Sequence, residues 1–182
     1  MDNSIPLVLR TARLELVACT LDLVRPEAAG VRVLAAMLGV AEPEHWPPPL
    51  NDEKSQQWVR EQLEADPAIA GWVLWYFVLL GTPQQLIGNG GFKGRPKNGL
   101  VEVGYSVLPD FQGNGFATEA TRALIRWAFS HPEVYRVAAE TLPNLGASLS
   151  VMRKCGMRYI GKGAPEEGAE TMRYEISRAD YA

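Results

Sequence analysis

Three apolar runs set close together constrain the fold of this chain more than any other feature. Trp72 to Leu80, Gln85 to Lys93 and Leu100 to Leu108 are separated only by Gly81-Thr82-Pro83 and by Arg95-Pro96-Lys97-Asn98-Gly99. These separators are turn-forming and of hairpin length, so the spacing predicts an antiparallel meander of three strands. From Phe116 to about His131 the period changes to that of a helix. Phe116, Ala120, Ala123, Leu124, Trp127 and Ala128 share one stripe, and Glu119, Arg122 and Arg126 lie on the other side. This is the pattern of a helix packed on a sheet.

The flanking segments complete an alternation of strands and helices. Leu7-Val8-Leu9 and Leu14-Glu15-Leu16-Val17 suggest a first strand with a kink at Arg10 to Arg13. A helical pattern runs from about Asp22 to Val40. The proline-rich stretch Glu42 to Pro49 must be a loop, because its four prolines exclude regular helix or a central strand. Asn51 or Asp52 can cap a helix reaching Ala65, with Trp58, Val59 and Leu63 on its inner side and Pro67 beyond its end. A strand from Arg136 to Leu142, a helix from about Leu145 to Cys155 stopped by Gly156, and a last strand around Thr171 to Ile176 follow. With no repeat, linker or shift in composition, residues 1–182 are expected to form a single domain.

Composition narrows the class of function. A net charge of -3 offers no general attraction to polyanions, so neither nucleic acid nor an anionic membrane is an expected partner. The longest apolar run, Ala68 to Leu80, is shorter than the roughly 18 to 20 residues that span a bilayer. The start Met-Asp-Asn-Ser-Ile-Pro lacks a basic, apolar leader, so a cytoplasmic location is expected. Cys19 and Cys155 are too few and too far apart for a disulfide framework or a cysteine zinc site, and both read as buried apolar residues. His45 and His131 have no metal-ligand spacing and are expected at the surface. No metal is implied.

Gln112-Gly113-Asn114-Gly115-Phe116-Ala117 lies between the third meander strand and the amphipathic helix. The first N–H groups of that helix have no carbonyl partner and point toward the loop. Gly113 and Gly115 remove the Cβ atoms that would keep a diphosphate from the backbone, and the helix dipole adds about 0.3 to 1 kcal/mol per favourable charge. A simple turn and helix cap would use the same residues. No Walker lysine and no complete Gly-x-Gly-x-x-Gly follows.

Gln112-x-x-Gly115-x-Ala117 resembles the Gln/Arg-x-x-Gly-x-Gly/Ala coenzyme A motif of the GNAT acetyltransferases. Glu102-Val103-Gly104-Tyr105-Ser106-Val107 resembles the strand whose splayed backbone receives pantetheine in that family. Ala117-Thr118-Glu119-Ala120 and Arg13-Leu14-Glu15-Leu16 are similar to segments of its ribosomal-protein N-terminal acetyltransferase branch. Asn144 to Ser148 and Arg153 to Met157 resemble its second cofactor-contacting segment. The resemblance implies an α/β (α+β) GNAT fold: a mixed, mostly antiparallel central sheet of six to seven strands flanked by about four helices. It implies acetyl-CoA as cosubstrate, with Tyr105, Ser106, Val107, Gln112, Gly113, Asn114, Gly115, Phe116, Ala117, Thr118, Asn144 and Ser148 as cofactor contacts. Two departures stand out. Asn144 falls one residue early, Leu145 taking the expected Asn position, so Asn144 is either a displaced contact or an N-cap. Met157 replaces a common Phe.

The chemistry implied is direct attack of an amine on the thioester in a ternary complex. Only the neutral amine attacks, so the enzyme must accept a proton and stabilise an oxyanion and a leaving thiolate. An α-amino group of pKa near 8 is about one-tenth neutral at pH 7, whereas a lysine near 10.4 is neutral in only a few molecules per ten thousand. Glu102 is the first candidate base, with a cross-sheet ion pair as its alternative role, and Glu140 is the second. Many relatives use a Tyr as acid where this chain has Met152, which leaves Ser148 as the hydroxyl for the sulfur. Trp46, the Pro47 to Pro49 run and Trp58 are candidate walls of the acceptor pocket. A protein N-terminus is the favoured acceptor; a small amine or aminoglycoside, or a non-catalytic acyl-CoA-binding module, is the alternative. Monomer and homodimer both remain open.

Overall fold

The computed structural model describes residues 6–165 and 168–181. The N-terminal apolar pattern makes two strands, β1 (Val8–Arg10) and β2 (Leu14–Ala18), where one kinked strand was expected. The Thr11 N–H donates to the Leu14 carbonyl at 2.9 Å and the Leu14 N–H to the Thr11 hydroxyl at 2.9 Å, which closes a hairpin turn. The single helix expected over 22–40 is likewise two, α1 (Leu21–Ala29) and α2 (Val31–Leu38). Gly30 separates them at φ 133, a conformation a side chain would not adopt. After the proline-rich loop comes α3 (Glu53–Ala65), with the Asp52 carboxylate accepting from the Ser55 N–H at 2.8 Å.

The meander forms as expected: β3 (Leu74–Leu79), β4 (Gln85–Phe92) and β5 (Leu100–Val107), each antiparallel to the last. Then follow α4 (Phe116–Phe129), β6 (Arg136–Thr141), α5 (Gly146–Lys154), β7 (Arg158–Lys162), β8 (Met172–Ser177) and the short α6 (Arg178–Tyr181). The sheet order is β1-β2-β3-β4-β5-β6-β8-β7, antiparallel except for the parallel β5–β6 pair. The mixed, mostly antiparallel sheet flanked by helices is as expected, and among the described residues it has eight strands and six helices where six to seven and about four were expected. Besides the two splits, β7 escaped the sequence reading because Arg158, Tyr159 and Ile160 are all exposed on an edge strand and show no alternation. No helix among the described residues is long and apolar enough to cross a membrane.

The core fills both faces of the sheet, with α4 covering one, and Leu23, Val24, Leu34, Val59 and Leu63 of α1, α2 and α3 adding to it. Trp75 and Phe77 are fully buried, and Trp127 of α4 stacks near Trp72, Trp75 and Phe92 at 4.5 to 5.6 Å. His131, expected at the surface, is half-buried with its ring 4.8 Å from Trp72. Strand β4 runs so close to its neighbours that a Cβ at Gly91 would stand 1.7 Å from the Val73 carbonyl oxygen. Cys19 and Cys155 are both buried and free, and burial pushes the Cys155 thiol up to about 11.

Candidate functional site

The feature that builds the site is an opening in the sheet. Strands β5 and β6 pair only through Leu100–Glu102 and Arg136–Ala138, while β5 stays paired with β4 as far as Val107. The Glu102 carbonyl accepts from the Lys93 N–H and the Leu108 N–H donates to the Ile87 carbonyl, so the even-numbered residues of β5 face β4. By antiparallel alternation, the odd-numbered backbone groups face away from β4; the Val103 N–H closes the ladder to β6, and the Val103 carbonyl and the groups of Tyr105 and Val107 face the gap beyond it. An open edge of this kind can receive an extended amide chain.

At the far end of that edge sits the glycine loop. Gly113 and Gly115 hold φ of 76° and 80°, and a Cβ at Gly113 would meet nothing within 4 Å. Gly115 occupies the N-cap position of α4, and the first helical N–H to find a carbonyl is that of Glu119, 3.0 Å from the Gly115 oxygen. The N–H groups ahead of it are free to meet an anion. The side chain of Gln112 turns back onto β5, donating to the Val107 carbonyl at 2.9 Å, and Asn114 donates to the Gln112 carbonyl at 3.0 Å. These two residues shape the loop through their side chains. Phe116 and Thr118 are buried in the start of α4, and the Ala117 carbonyl accepts from Thr121 Oγ1 at 2.7 Å.

Across the opening, Tyr105 reaches α5. Its hydroxyl lies 3.1 Å from the Ser148 carbonyl and 3.3 Å from Ser148 Oγ, and burial pushes its pKa up to about 12. The structure thus joins the two hydroxyls on either side of the gap, a pairing that 43 residues of separation hid from the sequence. Met152, in the position the resemblance associates with a tyrosine, is fully buried. Asn144 is exposed and is not the helix cap: that position is Leu145, with no side-chain hydrogen bond.

On the other face of the sheet, Tyr76, Asn89 and Ser106 are register partners across β3, β4 and β5 and share one side. The proline-rich loop is tied down over them. Ser106 Oγ donates to the Pro49 carbonyl at 2.5 Å and Asn51 Nδ2 to Asn89 Oδ1 at 2.7 Å. Trp46 Nε1 donates to Glu27 at 2.9 Å, and the Tyr76 hydroxyl donates to the same carboxylate at 2.7 Å. Trp46 is therefore beside the site, whereas Trp58 is exposed on α3 rather than turned inward with Val59 and Leu63. Glu27 is a buried carboxylate that gave no signal in the sequence; burial raises its pKa, more than its two hydrogen bonds lower it.

The candidate bases are both ion-paired. Glu102 contacts Lys93 and lies 3.9 Å from Arg173, lining a cleft of about 180 Å³ with Arg95 and Lys97. Glu140 accepts from Arg173 Nη1 at 2.6 Å, Thr171 Oγ1 at 3.0 Å and the Ala164 N–H at 3.0 Å. Partial burial pushes its carboxyl up, but these bonds and the Arg173 charge hold it below the usual range. A carboxyl held low is the poorer base of the two, and the bonds to Arg173, Thr171 and Ala164 favour a structural role for Glu140.

The comparisons with known proteins agree with this geometry. The model of the acetyltransferase (GNAT) domain family matches residues 20–158. The chain is 33% identical over 88 residues to FsC-acetyl coenzyme A-N(2)-transacetylase of Aspergillus fumigatus, covering 44% of this chain and 37% of that protein. It is 29% identical over 106 residues to the uncharacterized N-acetyltransferase YjdG of Bacillus subtilis, covering 58% and 62%. The chain thus spans less than two thirds of the length of these relatives. Among solved structures, the ribosomal-protein α-N-acetyltransferase RimL in complex with coenzyme A superposes with a TM-score of 0.66 at 17% identity, covering 97% of this chain and all of that one. The microcin C7 self-immunity acetyltransferase MccE, in complex with acetyl-CoA and AMP, gives 0.64 at 16% identity, covering 92% and 93%. With the family model matched across most of its length, the chain belongs to the GNAT acetyltransferase domain family.

Proposed function

We propose that this protein is an acetyl-CoA-dependent N-acetyltransferase, its 182 residues acting as one domain, and that its acceptor is a protein N-terminal α-amino group. The observation that carries the reading is the joint placement of the open β5 edge and the glycine-capped start of α4. The residues present fit the cofactor: no Cβ obstructs Gly113, and an unpaired strand edge leads away from the loop. Acetyl-CoA, when bound, supplies the activated acetyl group. The N–H groups at the start of α4 hold its diphosphate, and the Val103 carbonyl, both backbone groups of Tyr105 and the Val107 N–H bond its amide chain.

The chain's own groups do the rest. Tyr105 and Ser148 present hydroxyls to the sulfur, and with a pKa of about 12 the phenol keeps its proton and acts by hydrogen bonding. A thiolate leaving group needs no more than that near neutral pH. Glu102 is the proton acceptor for the amine once Lys93 releases it, and an α-amine, already about one-tenth neutral at pH 7, makes only a light demand on it. Trp46 and Pro49 wall the acceptor side.

Calorimetry with acetyl-CoA tests the cofactor half: the wild type binds, and Gly115→Glu, which adds a strained anion to the cradle, does not. Unchanged binding by that variant would sink the loop assignment. Thiol release with N-terminal peptides, lysine peptides and small amines tests the acceptor half. Faster turnover of a small amine or aminoglycoside would overturn the peptide acceptor, and binding without release from any acceptor would favour a non-catalytic acyl-CoA module.

A further inference from the structure

The first turn of α4 carries a carboxylate, Glu119, beside the N–H groups that would hold a diphosphate. A negative side chain there suits the helix dipole but repels an anionic ligand arriving at the same place. The turn between β1 and β2 answers it from 106 residues away. Arg13 Nε and Nη2 both meet Glu119 Oε2 at 2.7 Å, while the Arg13 N–H and the Thr11 hydroxyl donate to Oε1 at 2.9 and 2.7 Å. Arg13 Nη1 donates to the Asn114 carbonyl at 3.0 Å, and the guanidinium lies 4.4 Å from the centre of the Phe116 ring. One side chain thus touches positions 114, 116 and 119. None of these contacts is needed to close the β1–β2 hairpin, which Thr11 and Leu14 close between themselves.

Resting on the cofactor reading above, we propose that Arg13 is a positioning residue of the diphosphate loop, sustaining affinity for the coenzyme by neutralising Glu119 and holding it off the ligand. The two short motifs at Arg13 and Glu119 then form one device. Glu119 orders the start of α4 through its bonds to the β1–β2 turn, and Arg13 removes the electrostatic penalty that this order would otherwise impose on an anion.

The test is calorimetric titration with coenzyme A on the wild type and four variants. Arg13→Ala is expected to bind about tenfold more weakly, the effect of one uncovered charge near two phosphate charges. Glu119→Gln keeps an oxygen for Thr11 and for the Arg13 N–H but loses the charge, and is expected to bind at least as tightly as wild type. The double variant recovers to within about threefold of Glu119→Gln, and Arg13→Lys, which keeps the charge but loses the forked contacts and the place over the Phe116 ring, falls between Arg13→Ala and wild type. Pantetheine, which lacks the diphosphate, binds wild type and Arg13→Ala alike. A loss in Arg13→Ala that persists undiminished in the double variant, or equal binding by Arg13→Ala and wild type, overturns the proposal. Should Arg13→Ala fail to fold, Glu119→Gln alone decides: weaker binding than wild type overturns the proposal. Failure of the wild type to bind coenzyme A is a different result, which overturns the cofactor reading itself.

Discussion

Glu27 offers the sharpest test of how the acceptor side is built. Glu27 is 7% exposed and its carboxylate forms no ion pair among the described residues, yet it accepts from Trp46 Nε1 and from the Tyr76 hydroxyl, which also lies 3.3 Å from Cys19 Sγ. Replacing Glu27 by Ala leaves Trp46 Nε1 without a partner, at about 1 to 3 kcal/mol, leaves the Tyr76 hydroxyl only the Cys19 sulfur, and opens a cavity besides, so a loss of about 3 to 5 kcal/mol is expected. Glu27→Gln behaves differently. The amide oxygen still accepts from Trp46, its NH2 donates to the Tyr76 oxygen, and the Tyr76 hydroxyl turns toward Cys19. All three groups stay paired, and the cost of burying a charge is gone. Because burial raises the folded pKa of Glu27, its protonated form favours the folded state, and the wild type loses that contribution as pH rises from about 4.3 through the folded value. Glu27→Gln lacks this slope. Denaturant melts from pH 4 to 8 should therefore show Glu27→Gln gaining on the wild type as pH rises, and within about 1 kcal/mol of it at neutrality. If Glu27→Gln is as damaging as Glu27→Ala at every pH, the ionised carboxylate is required and the reasoning fails.

Further expectations come from the sheet and the candidate bases. Gly91→Ala places a Cβ 1.7 Å from the Val73 carbonyl and should cost about 3 kcal/mol or more in thermal unfolding, whereas Gly104→Ala, its register partner with nothing within 4 Å, should melt within about 1 kcal/mol of wild type. Asp52→Ala removes the cap of α3 and should cost about 1 kcal/mol, read from urea titration; Asp52→Asn should recover most of it. Glu102→Gln should lower turnover while leaving affinity for acetyl-CoA nearly intact, and an unchanged pH–rate profile would remove Glu102 as base. Glu140→Gln should reduce stability by weakening the Arg173 pair while leaving the shape of the pH–rate profile alone.

What could be read in the sequence was what depends on neighbours along the chain. The meander, the α4 stripe and the glycine loop each rest on contacts within about twenty residues, and each formed with boundaries close to those expected. The losses have specific causes. A helical period across 22–40 said nothing of the turn forced by Gly30, because the apolar pattern runs through it. Trp58 was placed inward by residue type, yet Val59 and Leu63 already fill the inner side of α3 and leave it outside. The Glu102 alternatives could not be separated, since its partners Lys93 and Arg173 come from two other strands. Arg13 and Glu119 were each noticed as motif residues, but nothing in either segment says that they meet.

Strand β5 explains why the cofactor and acceptor sides of the site are so closely linked. Its even-numbered backbone groups belong to β4, its odd-numbered groups beyond Val103 face the gap, and Ser106 projects toward the acceptor loop on the face it shares with Glu102, while Tyr105 projects toward α5. A period of two allows this division, and it also makes the division fragile. A one-residue slip in β5 would turn Tyr105 toward Pro49 and Ser106 toward Ser148, and would hand the open edge to the groups now bonded to β4. Gly88, Gly90 and Gly91 allow the neighbouring backbone to lie this close, because a Cβ at any of them would stand 2.6 Å or less from a carbonyl oxygen of β5 or of the chain just before β3. A glycine-rich strand does not hold its own register, so the register on which both halves of the site depend is held by the side-chain ties of Tyr105 to Ser148, of Ser106 to Pro49 and of Asn51 to Asn89.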